Sequence, residues 1–237
     1  MKKHIPNMIT CCNLLSGSVA VYLATEEQYV WSLCLIILAA IFDFFDGMTA
    51  RLLGVSSPIG KELDSLADDI SFGLAPSMML FCYLKPIIGW WALIALLMAA
   101  FSALRLAKFN LDERQTTSFI GLATPANALF WAANVANQSM QNTIMDGAVG
   151  AYTLLALSLV SCWLLVSEIP FFSLKFHDLS WKENKIRFIF LIGTAIIMIT
   201  YCVLAIVFKN PYALIPIANI TIVWYVLLSL LTIRKTK

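Results

Sequence analysis

Phe42-Asp43-Phe44-Phe45-Asp46-Gly47-Met48-Thr49-Ala50-Arg51, followed eight residues later by Gly60-Lys61-Glu62-Leu63-Asp64-Ser65-Leu66-Ala67-Asp68-Asp69, is the stretch on which the reading of this chain turns. It joins two long apolar runs and holds six of the 14 acidic residues of the sequence: Asp43, Asp46, Glu62, Asp64, Asp68 and Asp69. Asp43 and Asp46 stand three positions apart, and Asp64 and Asp68 four apart, so on helices each pair shares one face. A short connection makes the two helices antiparallel neighbours, and the four carboxylates then converge on one point.

Outside this stretch charge is scarce. Of 237 residues, 60% are apolar and 13% charged, where soluble domains run near a quarter charged. Apolar runs ended by charge, Pro or Gly fall at approximately 7 to 24, 30 to 53, 60 to 84, 86 to 108, 124 to 141, 147 to 173, 186 to 208 and 211 to 233. The pattern predicts an all-α polytopic membrane bundle of about eight transmembrane helices in one domain, residues 1 to 237. The first, third and fifth segments carry polar residues that lipid penalises, so they belong against other helices. A β-barrel is excluded because its strands would alternate polar and apolar.

The basic residues test this map. With both termini on one side, that side holds Lys2, Lys3, Arg51, Lys61, Arg105, Lys108, Arg114, Lys175, Lys182, Lys185, Arg187, Arg234, Lys235 and Lys237, against Lys85 and Lys209 on the other. The excess marks the cytoplasm, so both termini and the acidic stretch face it from the cytoplasmic membrane. The formal charge of +2 implies no nucleic-acid partner. Cys11, Cys12, Cys34, Cys82, Cys162 and Cys202 lack metal-ligand spacing and read as small apolar side chains. Lys2 and Lys3 precede no small-residue cleavage site, so the N-terminus reads as retained. Lys175, Lys182, Lys185 and Arg187 read as a cytoplasmic anchor, and the isolated His4 and His177 carry no role.

Four ionised carboxylates near hydrocarbon cost about 2.5 to 3.5 kcal/mol each on an insertion scale, before their mutual repulsion. Arg51 alone does not balance them, whereas hard divalent cations with oxygen ligands do. Two other readings stand beside a metal centre: a buried ionic network, and a cation-transport site. Gly47, Ala50 and Gly60 lack bulk where phosphates could approach backbone.

The run from Asp43 to Asp68 resembles the signature of the CDP-alcohol phosphotransferases, D-x-x-D-G-x-x-A-R-x(8)-G-x-x-x-D-x-x-x-D, at all eight fixed positions: Asp43, Asp46, Gly47, Ala50, Arg51, Gly60, Asp64 and Asp68. The resemblance implies that Asp43, Asp46, Asp64 and Asp68 bind two divalent ions, Mg2+ or Mn2+, and that Asp68 is also the general base. It implies that Gly47, Ala50, Arg51 and Gly60, with Asp46, line the nucleotide and phosphate pocket of a CDP-linked lipid.

Flanking segments resemble the phosphatidylserine synthase branch. Asp64-Ser65-Leu66-Ala67-Asp68 continues through Ser71-Phe72-Gly73 to Ala75-Pro76, like D-S-L-A-D-x-x-S-F-G-x-A-P. Pro6-Asn7 to Gly17 is similar to that branch's P-N-x-x-T-x-x-N-L-x-x-G. Asn7, Thr10, Asn13 and Gly17 form a stripe suited either to the nucleotide or to helix packing. Ala103 to Asn110 and Phe119 to Ala126 resemble A-L-R-L-A-R-F-N and F-x-G-L-P-[ST]-P-A, with Lys108 for Arg and Ala123 for Pro as departures. The resemblance implies CDP-diacylglycerol and L-serine as substrates, phosphatidylserine and CMP as products, and a homodimer among membrane lipid. Arg105 and Lys108 suit the serine carboxylate, and Asn110 and Thr124 its ammonium; membrane-surface anchoring is the plainer reading of the two cations. A sibling enzyme using glycerol 3-phosphate or inositol phosphate, and a divalent-cation carrier, are the alternatives.

Overall fold

A computed structural model describes residues 4–55, 57–112, 119–140, 147–172 and 181–233. The positions expected to mark the cytoplasmic side at Lys2, Lys3, Arg114, Lys175, Arg234, Lys235 and Lys237, together with His177 and the side chain of Lys182, lie outside the described residues.

The described helices are α1 (His4–Thr25), α2 (Tyr29–Leu53), α3 (Pro58–Asp68), α4 (Ala75–Ile88), α5 (Leu97–Leu111), α6 (Thr124–Met140), α7 (Ala148–Val166), α8 (Trp181–Val207) and α9 (Pro216–Ile233). A π-helical turn, Asp69–Leu74, fuses α3 to α4, and 3-10 segments at Gly89–Leu96 and Pro211–Leu214 precede α5 and α9. Five helical stretches are long and apolar enough to cross a membrane, and a shorter apolar helix covers Pro216–Leu231. The chain is a polytopic, helical integral membrane protein.

The stretch Pro58–Leu111 is continuously helical over 54 residues, which unbroken would be about 80 Å long against a hydrocarbon core of about 30 Å. The chain instead reverses at Gly89, where φ is +60°. That conformation is open to glycine and strained for other residues. The 3-10 segment then lies against α4, and α5 returns to pack on the π-helical turn.

On α1 packing places small and polar groups inside and large apolar ones outside, as lipid permits. On α1 the buried residues are Pro6, Thr10, Asn13, Ser16, Gly17, Ala20 and Ala24, while Met8, Leu15, Val19 and Tyr22 are exposed. The Ser32 hydroxyl donates to the Ala20 carbonyl at 2.8 Å and ties α2 to α1. The weakly apolar fifth segment is α6, wedged against α2, α4 and α9 with Trp131 fully buried, its Nε1 donating to Ser161 Oγ at 2.9 Å. Its polar residues Thr124 and Asn127 are buried against protein, as expected.

Two boundaries differ from the sequence reading. The third segment starts at Pro58 instead of 60, so the link between the acidic segments is only 54–57; α2 ends at Leu53, as expected, in a left-handed cap at Gly54 whose N–H reaches Ala50 and Arg51 carbonyls. The helix α3 then starts at once, with Ser57 Oγ capping Gly60 N at 3.0 Å and Pro58 in the first turn. The sixth segment stops at Val166 instead of 173: Ser167 is extended, and Pro170–Phe171 pairs antiparallel with Phe119–Ile120. Beside this ribbon Leu122, Phe171, Phe190 and Tyr225 make a second, smaller apolar cluster. All six cysteines are free thiols.

Close approach of α1 to the π-helical turn depends on Gly17. A Cβ there would stand 2.2 Å from Ser71 Oγ and 2.6 Å from Ser71 Cα. Overpacking of this kind costs about 1–3 kcal/mol, more than the ~1 kcal/mol an alanine gains over glycine in a helix. Gly17→Ala therefore lowers the thermal midpoint of the detergent-solubilised protein, while Gly47→Ala, whose Cβ meets nothing within 4 Å, leaves it unchanged or slightly raised.

Candidate active site

The αL cap at Gly54 and the capped start of α3 turn the chain between α2 and α3, both of which pack on α1, and this brings the aspartates together. One carboxylate oxygen each from Asp43, Asp64 and Asp68 lies within 4.8 Å of the others. Asp46 is within electrostatic reach of all three and is the most buried of the four, at 6% exposure. It is held differently, its Oδ2 accepting a 2.7 Å hydrogen bond from the Thr10 hydroxyl. Asn13 Nδ2 donates to Asp68 Oδ1 at 3.1 Å, and the Asn13 carbonyl accepts from Ser71 Oγ at 3.0 Å. The stripe on α1 thus faces the acidic cluster, and two of its members grip aspartates from both helices.

These residues fit a divalent cation. The donors are all carboxylate oxygens, the choice of hard ions. Asp64 Oδ1 is buried without a hydrogen-bond partner, so the protein itself leaves a ligand position free. Like charges this close in a poorly solvated place repel strongly unless a cation or protons intervene.

Beside the aspartates α1, α2 and α3 enclose a cavity of about 260 Å³. Asn7, Thr10, Asp46, Gly47, Ala50 and Gly60 all line it; Arg51 does not and is exposed at the end of α2. The bare backbone at Gly47 leaves the wall open, whereas a Cβ at Gly60 would press to 3.0 Å from Ser57 Oγ and 3.1 Å from Asn7 Oδ1. Ser57 and Lys61 also line this cavity; neither was assigned to the site from sequence, where Lys61 was read only as a cytoplasmic-side cation, although both flank the Gly60 position of the motif.

The four residues assigned to the acceptor do not form one group. Arg105 is buried, with Nη1 donating to Thr124 Oγ1 at 2.9 Å and its guanidinium 5.6 Å from the Phe109 ring centre. It lies within electrostatic reach of Asp68. Asn110 is drawn instead to α3, its Nδ2 donating to Ser65 Oγ at 2.8 Å and its carbonyl accepting from Lys61 Nζ at 3.0 Å. Lys108 is exposed.

Comparison with known proteins agrees with the geometry. The profile of the family described as CDP-alcohol phosphatidyltransferase matches residues 3–232. The chain is 39% identical over 125 residues to the CDP-diacylglycerol–serine O-phosphatidyltransferase of Bacillus subtilis, covering 52% of this chain and 70% of that protein. A protein of the same name from Helicobacter pylori is 36% identical over 127 residues, 52% of this chain and 54% of that one, so the match spans about half its length. The one from Methanocaldococcus jannaschii is 34% identical over 148 residues, 62% of this chain and 68% of that protein.

Mn2+ binding to the purified protein, followed by paramagnetic resonance of the free ion, checks the donor set. Asp43→Asn, Asp64→Asn and Asp68→Asn each weaken binding by about tenfold or more, since each removes a charged ligand. Asn127→Ala, on α6, leaves it unchanged.

Proposed function

The chain belongs to the CDP-alcohol phosphatidyltransferase family, and from that premise we propose that it transfers the phosphatidyl group of CDP-diacylglycerol to the hydroxyl of L-serine, yielding phosphatidylserine and CMP. The observation that carries this reading is the convergence of Asp43, Asp64 and Asp68, with Asp64 lining the cavity between α1, α2 and α3 and Asp68 within electrostatic reach of the buried Arg105. The names of the relatives and the motifs from Pro6 to Ala126 support serine as the acceptor.

In this reading Asp43, Asp46, Asp64 and Asp68 hold two ions, Mg2+ or Mn2+. Such ions supply charge neutralisation to the pyrophosphate and to the departing CMP. The residues of the chain do the remaining work. Asn7, Thr10, Gly47, Ala50 and Gly60 shape the cytidine and phosphate pocket, and Arg51, exposed at the end of α2, attracts phosphate from outside that lining. Thr10 and Asn13 hold Asp46 and Asp68 in place. Asp68 takes the proton from the serine hydroxyl as its oxygen forms a bond to the diacylglycerol-bearing phosphorus and the bond to CMP breaks. Arg105, fixed by Thr124, receives the serine carboxylate; Lys108 attracts it at the surface, and Asn110 fastens α5 to α3 at the site's edge.

The same reading makes residues 1 to 237 one domain in which all eight helical segments cross the cytoplasmic membrane. Both termini and the site face the cytoplasm, lipid tails enter from the inner leaflet, and two copies associate as a homodimer.

Purified protein supplied with CDP-diacylglycerol, Mn2+ or Mg2+ and a panel of alcohols decides the substrate. The expected result is CMP release that depends on L-serine. Release only with glycerol 3-phosphate or inositol phosphate replaces serine as acceptor, and cation flux into liposomes without CMP release removes the enzyme. Asp68→Asn lowers turnover by about a hundredfold or more, the scale of lost general-base catalysis, with unchanged expression and size-exclusion profile.

A further inference from the structure

We infer that Asp69 and Ser102, with Arg105, form the recognition site for the charged groups of the amino-acid acceptor, the ammonium lying on Asp69 and Ser102. This rests on the serine reading and deepens it.

Asp69 stands about 100° around a helix from Asp68, outside the metal-binding face, and matches no position of the family signature. The structure gives it a setting of its own. It opens the π-helical turn, and its Oδ1 is buried with no hydrogen-bond partner. Gly73 lies one turn on. A Cβ at Gly73 would come within 2.6 Å of Asp69 Oδ1 and 3.0 Å of Ser102 Cβ, so the carboxylate and Ser102 flank the same point from two helices. Ser102 has no exposed surface, and its Oγ also lacks a partner.

Arg105 follows Ser102 by three residues and shares its face of α5. It is 7% exposed; its Nη1 is used by Thr124, but its Nε has no partner. Because Asp69 Oδ1 and Arg105 Nε are both unpaired, they are not bonded to each other. A half-buried acid and a buried hydroxyl thus flank one point, with a buried cation one turn along α5 from the hydroxyl, and each keeps a buried polar atom unspent in a bundle where water is scarce. Groups in that condition are costly unless a ligand satisfies them.

A zwitterionic amino acid has the complementary set. Its ammonium offers three N–H donors to Asp69 and Ser102, and its carboxylate accepts from Arg105. A hydroxyl on its side chain then lies towards Asp68, which adjoins Asp69 in sequence and is within electrostatic reach of Arg105. An acceptor without an amine leaves Asp69 unpaired, so the same pair rejects plain hydroxy acids.

The test uses the full-length enzyme in detergent with saturating CDP-diacylglycerol and Mn2+, following CMP release with L-serine and with 3-hydroxypropionate, which keeps the hydroxyl and carboxylate and lacks the ammonium. Asp69→Asn is expected to raise the KM for L-serine about tenfold or more, the scale of a lost charge-assisted hydrogen bond, with unchanged KM for CDP-diacylglycerol. The preference for L-serine over 3-hydroxypropionate falls by the same factor, and Ser102→Ala moves both quantities the same way by less. An Asp69→Asn enzyme that keeps its serine KM, or that loses activity with both acceptors in equal proportion, overturns the inference while serine-dependent release by the unmodified enzyme leaves the function standing. No serine-dependent release by the unmodified enzyme overturns both.

Discussion

Four carboxylates held at the edge of an apolar bundle are the constraint around which the first half of this protein is arranged. Each is ionised at little cost in water and at several kcal/mol in a membrane interior, and repulsion between neighbours adds to that. Chain connectivity alone would place them together, because α2 and α3 are joined by a tight turn; it would not keep them together. What does is α1. Thr10 donates to Asp46 and Asn13 to Asp68, one bond to each of the two acidic helices, and Ser71 in turn fixes the Asn13 backbone. Hydrogen-bond donors that neutralise nothing but orient everything are the protein's share, and the remaining charge is left for cations.

That arrangement sets the packing rules around it. For α1 to reach both acidic helices it must lie close, and Gly17 against Ser71 gives the contact at which it does. Small residues continue the seam upward through Ala20 and Ala24, where the interior becomes apolar and merges with Ile36, Met79, Leu80 and Leu84. The polar end and the apolar end of α1 therefore serve one purpose at two depths: short side chains allow backbones to approach, first around a charged centre and then around a dry core.

Much of this was legible from the chain. The eight apolar segments correspond to helical stretches, and the spacing of the aspartates pointed to the convergence seen for Asp43, Asp64 and Asp68, because both depend on local periodicity. Features that depend on neighbours far along the sequence were not. Nothing in Asn110 itself says that it turns to Ser65 while Arg105 turns to Thr124; residues so close in sequence on one helix point to different partners, α3 and α6. The π-helical turn was equally hidden, since one extra residue per turn leaves no compositional mark. Its consequence is that Asp69, assigned no role from sequence, ends beside Ser102 on α5.

The partition of the site by α3 also bears on how the proposed reaction proceeds. Residues lining the cavity beside the aspartates come mostly from α1, α2 and the start of α3, while Arg105 and Thr124 come from α5 and α6. Asp68 meets both sides, bonded to Asn13 of α1 and within reach of Arg105. Displacement at phosphorus requires the entering oxygen and the leaving oxygen to lie roughly in line, on opposite sides of the reacting atom. A fold that gave both substrates one cavity would have to separate them within it. Under the proposed reaction the helices themselves supply that separation: the cavity assigned to CMP lies on the α1 and α2 side, Arg105 and Thr124, assigned to the acceptor, on the α5 and α6 side, and Asp68 of α3 is linked to both.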